Sequence, residues 1–321
     1  MILANDKRDR IAPMMTQPRG GTPTPIPQPW FAPGQRRLDQ ILKNAPELPF
    51  DDHSKIILLS DAHRGDRGVH DEFAPNEDLF VHALSYYATA GFTYIELGDG
   101  DDLWQTPRFS DIERAYPRVF ALLHKFQQQQ RLHLILGNHE VQGRQYYHAN
   151  KGEWTVGEGL VLRHRQSGQR LFAVHGHQID FWCDQLSLLT QQLVWSARWG
   201  PQQVRRATGS FASQQRRALI NFATGLWARW YASQQQKQAQ QMIDWVKSRQ
   251  QPTIVGHTHI PLFPNRDHAP CFNTGSCINP GYLTGIEIQD GLLRFVKWFT
   301  TGGQQVDYTL LAPARALTEL I

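Results

Sequence analysis

The sequence predicts an α/β fold, a sheet with helices packed on its faces, and three observations predict it. From Lys55 onward, short apolar runs alternate with segments whose apolar residues recur at helical spacing. Five of the apolar runs end in a polar stretch: Ser60-Asp61-Ala62-His63, Leu97-Gly98-Asp99-Gly100-Asp101-Asp102, Gly137-Asn138-His139-Glu140, Val174-His175-Gly176-His177 and Gly256-His257-Thr258-His259. Runs of this length bounded by turn residues read as buried strands, and ligands gather beyond the carboxyl ends of such strands. Residues 181–250 then break the rhythm, with helical spacing and no strand pattern.

Taken in order, residues 1–36 hold seven prolines and few long apolar residues, which predicts an extended, flexible arm. Nothing there has the charged start, apolar middle and small-residue cleavage site of a signal peptide. Ile56–Leu59 is the first strand, and Glu77–Ala90 carries a helical stripe of Leu79, Phe80, Ala83, Leu84 and Tyr87. Phe92–Leu97 is the second strand. A helix follows over about Asp111–Gln129, with Pro117 marking a kink or late start, and then a third strand, Arg131–Leu136. Strands are expected again before His175 and before Gly256, then at Cys271–Thr274, Thr284–Ile288 and Leu292–Phe299. Asp290-Gly291 suits a hairpin turn between the last two. Residues 301–321 are expected to be a tail.

Composition narrows the class. The 321 residues are 40% hydrophobic and 19% charged, with no apolar stretch of membrane-spanning length. A formal charge of +4 gives no argument for a nucleic-acid partner, and no nucleic-acid-binding module is visible. Three cysteines, Cys183, Cys271 and Cys277, make no disulfide framework and suit a reducing cytoplasm. Within 181–250, however, nine Lys and Arg face only Asp184 and Asp244, and six of the ten tryptophans fall there. The charge is concentrated in that segment.

Carboxylate, imidazole and amide oxygen at five strand ends are the donors of a divalent ion of borderline hardness, such as Mn, Fe or Zn. Two ions sharing a carboxylate would suit phosphate ester hydrolysis. The ordered motifs D-A-H, G-D-G-D-D, G-N-H-E, H-G-H and G-H-T-H, over residues 55 to 298, resemble the calcineurin-like metallophosphoesterase superfamily. The resemblance implies a four-layer α/β/β/α sandwich over 37–300, with 181–250 inserted as a helical cap. It also implies that Asp61, His63 and His259 hold one ion and Asn138, His175 and His257 the other, with Asp99 bridging. Mn is the first choice of metal, with Fe or Zn next. His139 would act on the leaving group, Asp102 and Glu140 would orient ligands or His139, and a metal-activated hydroxide would attack phosphorus. Asp66, His177 and Asp180 are candidates for outer contacts.

The reaction implied is hydrolysis of a phosphate ester or anhydride on a phosphorylated small molecule or a lipid-linked substrate. The cap's placement is similar to that in UDP-2,3-diacylglucosamine hydrolases. Its tryptophans beside arginines suit an anionic lipid head or peripheral contact with a membrane. His139 and His177 depart from those hydrolases, which usually carry Arg and Asp there. A serine/threonine protein phosphatase is a second reading, with Arg64 as the phosphate-binding arginine. A non-catalytic scaffold is a third.

Overall fold

The computed structural model describes residues 32–141, 156–180, 233–302 and 305–320. Helix α1 (Ala32–Asn44) leads to strands β1 (Glu47–Phe50) and β2 (Ile56–Leu59), helix α2 (Glu77–Thr89) and strand β3 (Thr93–Leu97). Helices α3 (Phe109–Ala115) and α4 (Pro117–Gln128), strand β4 (Leu132–Ile135) and the single turn α5 (Asn138–Val141) follow. Strands β5 (Val156–Gly157), β6 (Gly159–His164) and β7 (Arg170–Val174) precede a helix described over 233–249, α6. The chain closes with β8 (Thr253–Val255), β9 (Cys271–Asn273), β10 (Tyr282–Gln289), β11 (Leu292–Thr301), β12 (Gln305–Leu310) and β13 (Arg315–Ala316).

Among the described residues these strands make two sheets. One has the order β1-β6-β7-β8-β9; the other runs β12-β11-β10-β2-β3-β4-β5, with β13 also on β11. The period-2 alternation of side chains sorts each strand between two cores. On β2, Ile57 and Leu59 face α2, α3 and α4 through Phe80, Leu84, Ile112 and Phe120. Ile56 and Leu58 face the other way, onto Leu160, Leu171, Ile254 and Phe272 of the five-stranded sheet. That sheet's far side, Val161, Phe172, Val174 and Val255, is covered by Leu38 and Ile41 of α1 and Met242, Trp245 and Val246 of α6. The result is four layers, helix–sheet–sheet–helix. Strands β2, β7 and β8 read as nearly continuous apolar runs because both of their faces are covered, whereas β3 and β4 carry Glu96 and His133.

Several elements differ from the sequence reading, each for a physical reason. The 111–129 helix is two helices, because Pro117 cannot continue α3 and instead takes the first position of α4. Helix α1 starts inside the expected arm, since Pro33 falls in its first turn, where a missing N–H costs nothing. Strand β1 contains Pro49 and lies at the edge of its sheet, where proline is tolerated. The expected tail contains two strands: Tyr308 pairs with Trp298 in β11, and Ala316 with Leu292. Both Asp290 and Gly291 have positive φ, 55° and 67°, as a mirror-image two-residue hairpin turn requires. Cys271 and Cys277 are buried free thiols. Among the described residues no helix is long and apolar enough to cross a membrane. Most of the expected cap, 181–232, lies outside the described residues, as do Cys183 and residues 1–31.

Trp245 ties α6 to this core. It is fully buried against Phe172, and its Nε1 donates to Asp39 Oδ1 of α1 at 3.1 Å. Trp245→Ala should therefore cost about 3–5 kcal/mol of unfolding free energy in urea titrations, the scale of a large core truncation. A loss well under 1 kcal/mol would mean that α6 is not part of the folded core.

Candidate metal centre

The five polar stretches meet because their strands end on the same side of the two sheets. Those after β2, β3 and β4 come from the eight-stranded sheet, those after β7 and β8 from the five-stranded one. Backbone bonds stitch them together: Asp61 N–H donates to the Gly98 carbonyl at 3.0 Å and His63 N–H to that of Asp99 at 2.9 Å. Within the other sheet, Gly256 N–H donates to the His175 carbonyl at 3.0 Å. Asp61, His63, Asp99, His257 and His259 all hold left-handed backbone, with φ of 54°, 48°, 51°, 67° and 56°. Side chains other than glycine pay a steric penalty there, and such residues concentrate at functional sites.

Two motif glycines make room for ligands. A Cβ on Gly98, itself at φ 86°, would stand 2.5 Å from the His175 ring. One on Gly137 would sit 2.0 Å from Asp99 Oδ1. The glycines of G-D-G-D-D and G-N-H-E are thus the space that lets the imidazole and carboxylate pack against the strand ends.

Asp99 lies at the centre. Its Oδ1 accepts the His139 backbone N–H at 2.9 Å, which frees Oδ2 to face three imidazoles. His175 Nε2 is 3.2 Å from it, His63 Nε2 3.9 Å and His139 Nε2 4.0 Å. The tautomer of His175 follows from its other nitrogen. Nδ1 lies 2.8 Å from the Leu97 carbonyl, which can only accept, so Nδ1 carries the hydrogen. Neutral His175 therefore points a lone pair at a carboxylate oxygen, an arrangement that only a proton or a cation between them makes favourable. Metal-ligating histidines commonly donate their second nitrogen to a carbonyl in this way.

Asp61 repeats the pattern. Its Oδ2 is held by the Ser60 hydroxyl and by the His257 N–H at 3.1 Å. Its Oδ1 is buried, 3.1 Å from His259 Nε2, and lacks the alignment of a hydrogen bond. Asn138 Oδ1 and His175 Nε2 are likewise buried without a hydrogen-bond partner. Buried polar atoms are nearly always satisfied, so these three atoms have the character of cation ligands. The groupings Asp61–His63–His259 and Asp99–His175–His257 each bring their ligand atoms within 4.8 Å of one another. Electrostatics agree. Burial opposes charge on His175, yet Asp99 and Asp61 raise its pKa to about 9. Burial and the neighbouring His139 push His63 down to about 3.

His139 stands at the edge of this cluster, held on two sides. Its Nδ1 is 2.8 Å from Asp102 Oδ1, and its ring stacks on Trp104 at 4.1 Å. Trp104 in turn donates to the Asn138 carbonyl at 3.0 Å. Sequence reasoning missed Trp104, although its place two residues beyond Asp102 was the available signal. The neighbouring Asp101 faces away and pairs with Arg64 Nε at 2.7 Å. Arg64 is fully buried, and its two Nη atoms bind both oxygens of Glu96 at 2.7 and 2.8 Å. It is spent beneath the site, so the phosphate-binding role expected for it does not hold. Asp66 is exposed and accepts the Gly68 N–H at 2.9 Å, closing a turn rather than supporting a ligand. His177 is buried beside His175, and Asp180 Oδ2 lies 3.5 Å from His257 Nε2.

Glu140 braces the loops from below. Its Oε1 accepts the N–H groups of Gly100 and Asp101 at 2.8 and 3.0 Å, and Oε2 those of Gly137 and Asp99 at 2.8 and 3.1 Å. Burial, with Asp99, Asp101 and Glu96 nearby, pushes its carboxyl up to about 7. Two effects therefore oppose each other in Glu140→Gln. Relief of like-charge repulsion stabilises, but an amide NH2 must face two backbone donors wherever it points. Unsatisfied buried groups cost about 1–3 kcal/mol each, so the net expected is a loss of about 1–3 kcal/mol. Thermal unfolding of the metal-free variant checks the sign; a gain in stability would mean that repulsion dominates.

Vacuolar protein sorting 29 from Cryptosporidium parvum is 10% identical, with 82% of this chain and 98% of that one covered at a TM-score of 0.38. The cold-active protein-tyrosine phosphatase of a psychrophilic Shewanella species is 11% identical, with 83% and 82% covered at a TM-score of 0.35. No curated protein gives a significant match. The family model for calcineurin-like phosphoesterases matches residues 54–273, which contain all five polar stretches, and the chain belongs to that family of metal-dependent phosphoric ester hydrolases.

Proposed function

We propose that the chain hydrolyses a phosphate ester or anhydride at a two-ion centre, with His139 as the proton donor to the leaving group. The observation that carries this reading is the set of buried atoms without a hydrogen-bond partner, Asp61 Oδ1, Asn138 Oδ1 and His175 Nε2, the last 3.2 Å from Asp99 and 4.0 Å from Asp61, beside an Asp102–His139 pair. Asp61, His63 and His259 would hold one ion, Asn138, His175 and His257 the other, and Asp99 both. Mn2+ is the first ion to load, since carboxylate, amide oxygen and imidazole suit borderline divalent metals. When bound, the ions supply Lewis acidity toward phosphoryl oxygen and water and offset the charge of the substrate.

The protein's own groups do the rest. Asp102 takes the Nδ1–H of His139, and Trp104 fixes the ring plane, so Nε2 is the nitrogen turned toward Asp99 and the cleft. In its imidazolium form His139 gives the leaving oxygen its Nε2 proton as the bond to phosphorus breaks and keeps Nδ1–H on Asp102. The attacking water releases a proton to solvent, and a solvent proton restores Nε2–H for the next turnover. An imidazole is suited to this near neutral pH. The lipid-linked substrate and the membrane contact rest on the Trp- and Arg-rich 181–232 segment, outside the described residues.

His139→Ala should lower turnover by about 10²-fold or more, the usual scale for an acid–base group, while bound metal per chain stays at the wild-type value. Unchanged turnover would remove His139 from the mechanism. The substrate class is tested with Mn2+-loaded protein on a phosphomonoester, a phosphodiester and a UDP-linked acylated sugar, with Asp99→Ala as control. Preference for the acylated nucleotide would support a lipid-binding cap, and preference for a simple ester would oppose it. Hydrolysis of none of the three, or hydrolysis that survives a chelator, would count against the proposed chemistry.

A further inference from the structure

Helix α6 also reaches the metal loop. Near its described start, Gln235 Nε2 donates a 3.0 Å hydrogen bond to the carbonyl of Thr258. Thr258 separates His257 from His259, the two imidazoles assigned to different ions. Both histidines hold left-handed backbone, at φ 67° and 56°, a conformation that persists only where its surroundings fix it. The Thr258 peptide units join them directly, so rotation of this carbonyl swings both rings.

Other bonds fix the neighbouring atoms. Asn273 Nδ2 donates to the Gly256 carbonyl at 2.7 Å and to Thr258 Oγ1 at 3.1 Å, and the His257 N–H reaches Asp61 Oδ2 at 3.1 Å. These come from the two sheets, and the Thr258 carbonyl is met from the helix. Beside that contact runs a largely apolar crevice lined by Met242, Val255 and Leu262, with the amides of Gln238 and Asn273 also on its wall. We propose that Gln235 is a positioning residue for the metal centre, holding the loop in the one conformation that presents His257 and His259 together. The proposal rests on the two-ion reading of the site.

The test uses the metal-free full-length chain titrated with Co2+, followed by calorimetry for affinity and by visible absorption for ligand geometry. Wild type, Gln235→Ala and Gln235→Glu are compared; Glu keeps the length of the side chain and removes the donor. Loss of a supporting hydrogen bond typically weakens metal binding 10–100-fold, so both variants should bind about 10-fold or more weakly, with altered Co2+ absorption. The melting temperature without metal should match wild type. If Gln235→Glu binds Co2+ like wild type, with the same spectrum, the positioning role is overturned while the two-ion reading stands. If wild type itself takes up no Co2+, both fall together.

Discussion

The structure depends on two buried carboxylates, Asp61 and Asp99, set among imidazoles whose lone pairs face them. Burying a charge without a partner is among the costliest acts in folding, and the neighbours that offset it here are incomplete. Each carboxylate gives one oxygen to fixed donors: Ser60 and the His257 N–H for Asp61, the His139 N–H for Asp99. The other oxygen is left toward the cleft. Both Asp61 and Asp99 are held below the usual carboxylate range, burial notwithstanding, by His259 and His175 respectively. In the absence of metal, the histidines must supply the missing positive charge as protons. A divalent ion held there would replace those protons, and Asn138 Oδ1 would be open to it.

What was legible in the sequence was local. Each polar stretch lies within a few residues of the strand that aims it, so pattern and position were enough to place Asp61, His63, Asp99, Asn138, His175, His257 and His259 at strand ends. The apolar run of β2 and the Asp290-Gly291 turn were legible for the same reason. What escaped was non-local or masked by composition. Arg64 reads as a free cation beside His63, but its partner Glu96 is 32 residues away on β3. Asp66 and Asp180 are equivalent in sequence, each a few residues beyond a ligand, yet only chain direction after the strand decides that one is exposed and the other faces His257. Pro33 misled, because a first helical turn tolerates what an interior position does not. Strand β12 carries little apolar pattern because most of its residues are exposed.

The architecture explains why the centre needs both sheets. The eight-stranded sheet supplies Asp61, His63, Asp99, Asn138 and His139; the five-stranded sheet supplies His175, His257 and His259. Each ion of the proposed centre would therefore take ligands from both sheets, and neither sheet alone would carry a complete set. The spacing between the two ligand groups is set by the core between the sheets, where Leu97 and Ile135 meet Ala173 and Ile254 just below the motifs. Such a core is close-packed and resists small displacements, so it transmits a change of volume rather than absorbing it. A methylene lost from that layer should thus be felt at the site as a shift of imidazoles against carboxylates, even though the residue touches no ligand. Sheet packing, usually a matter of stability alone, would here also set the geometry of the proposed centre.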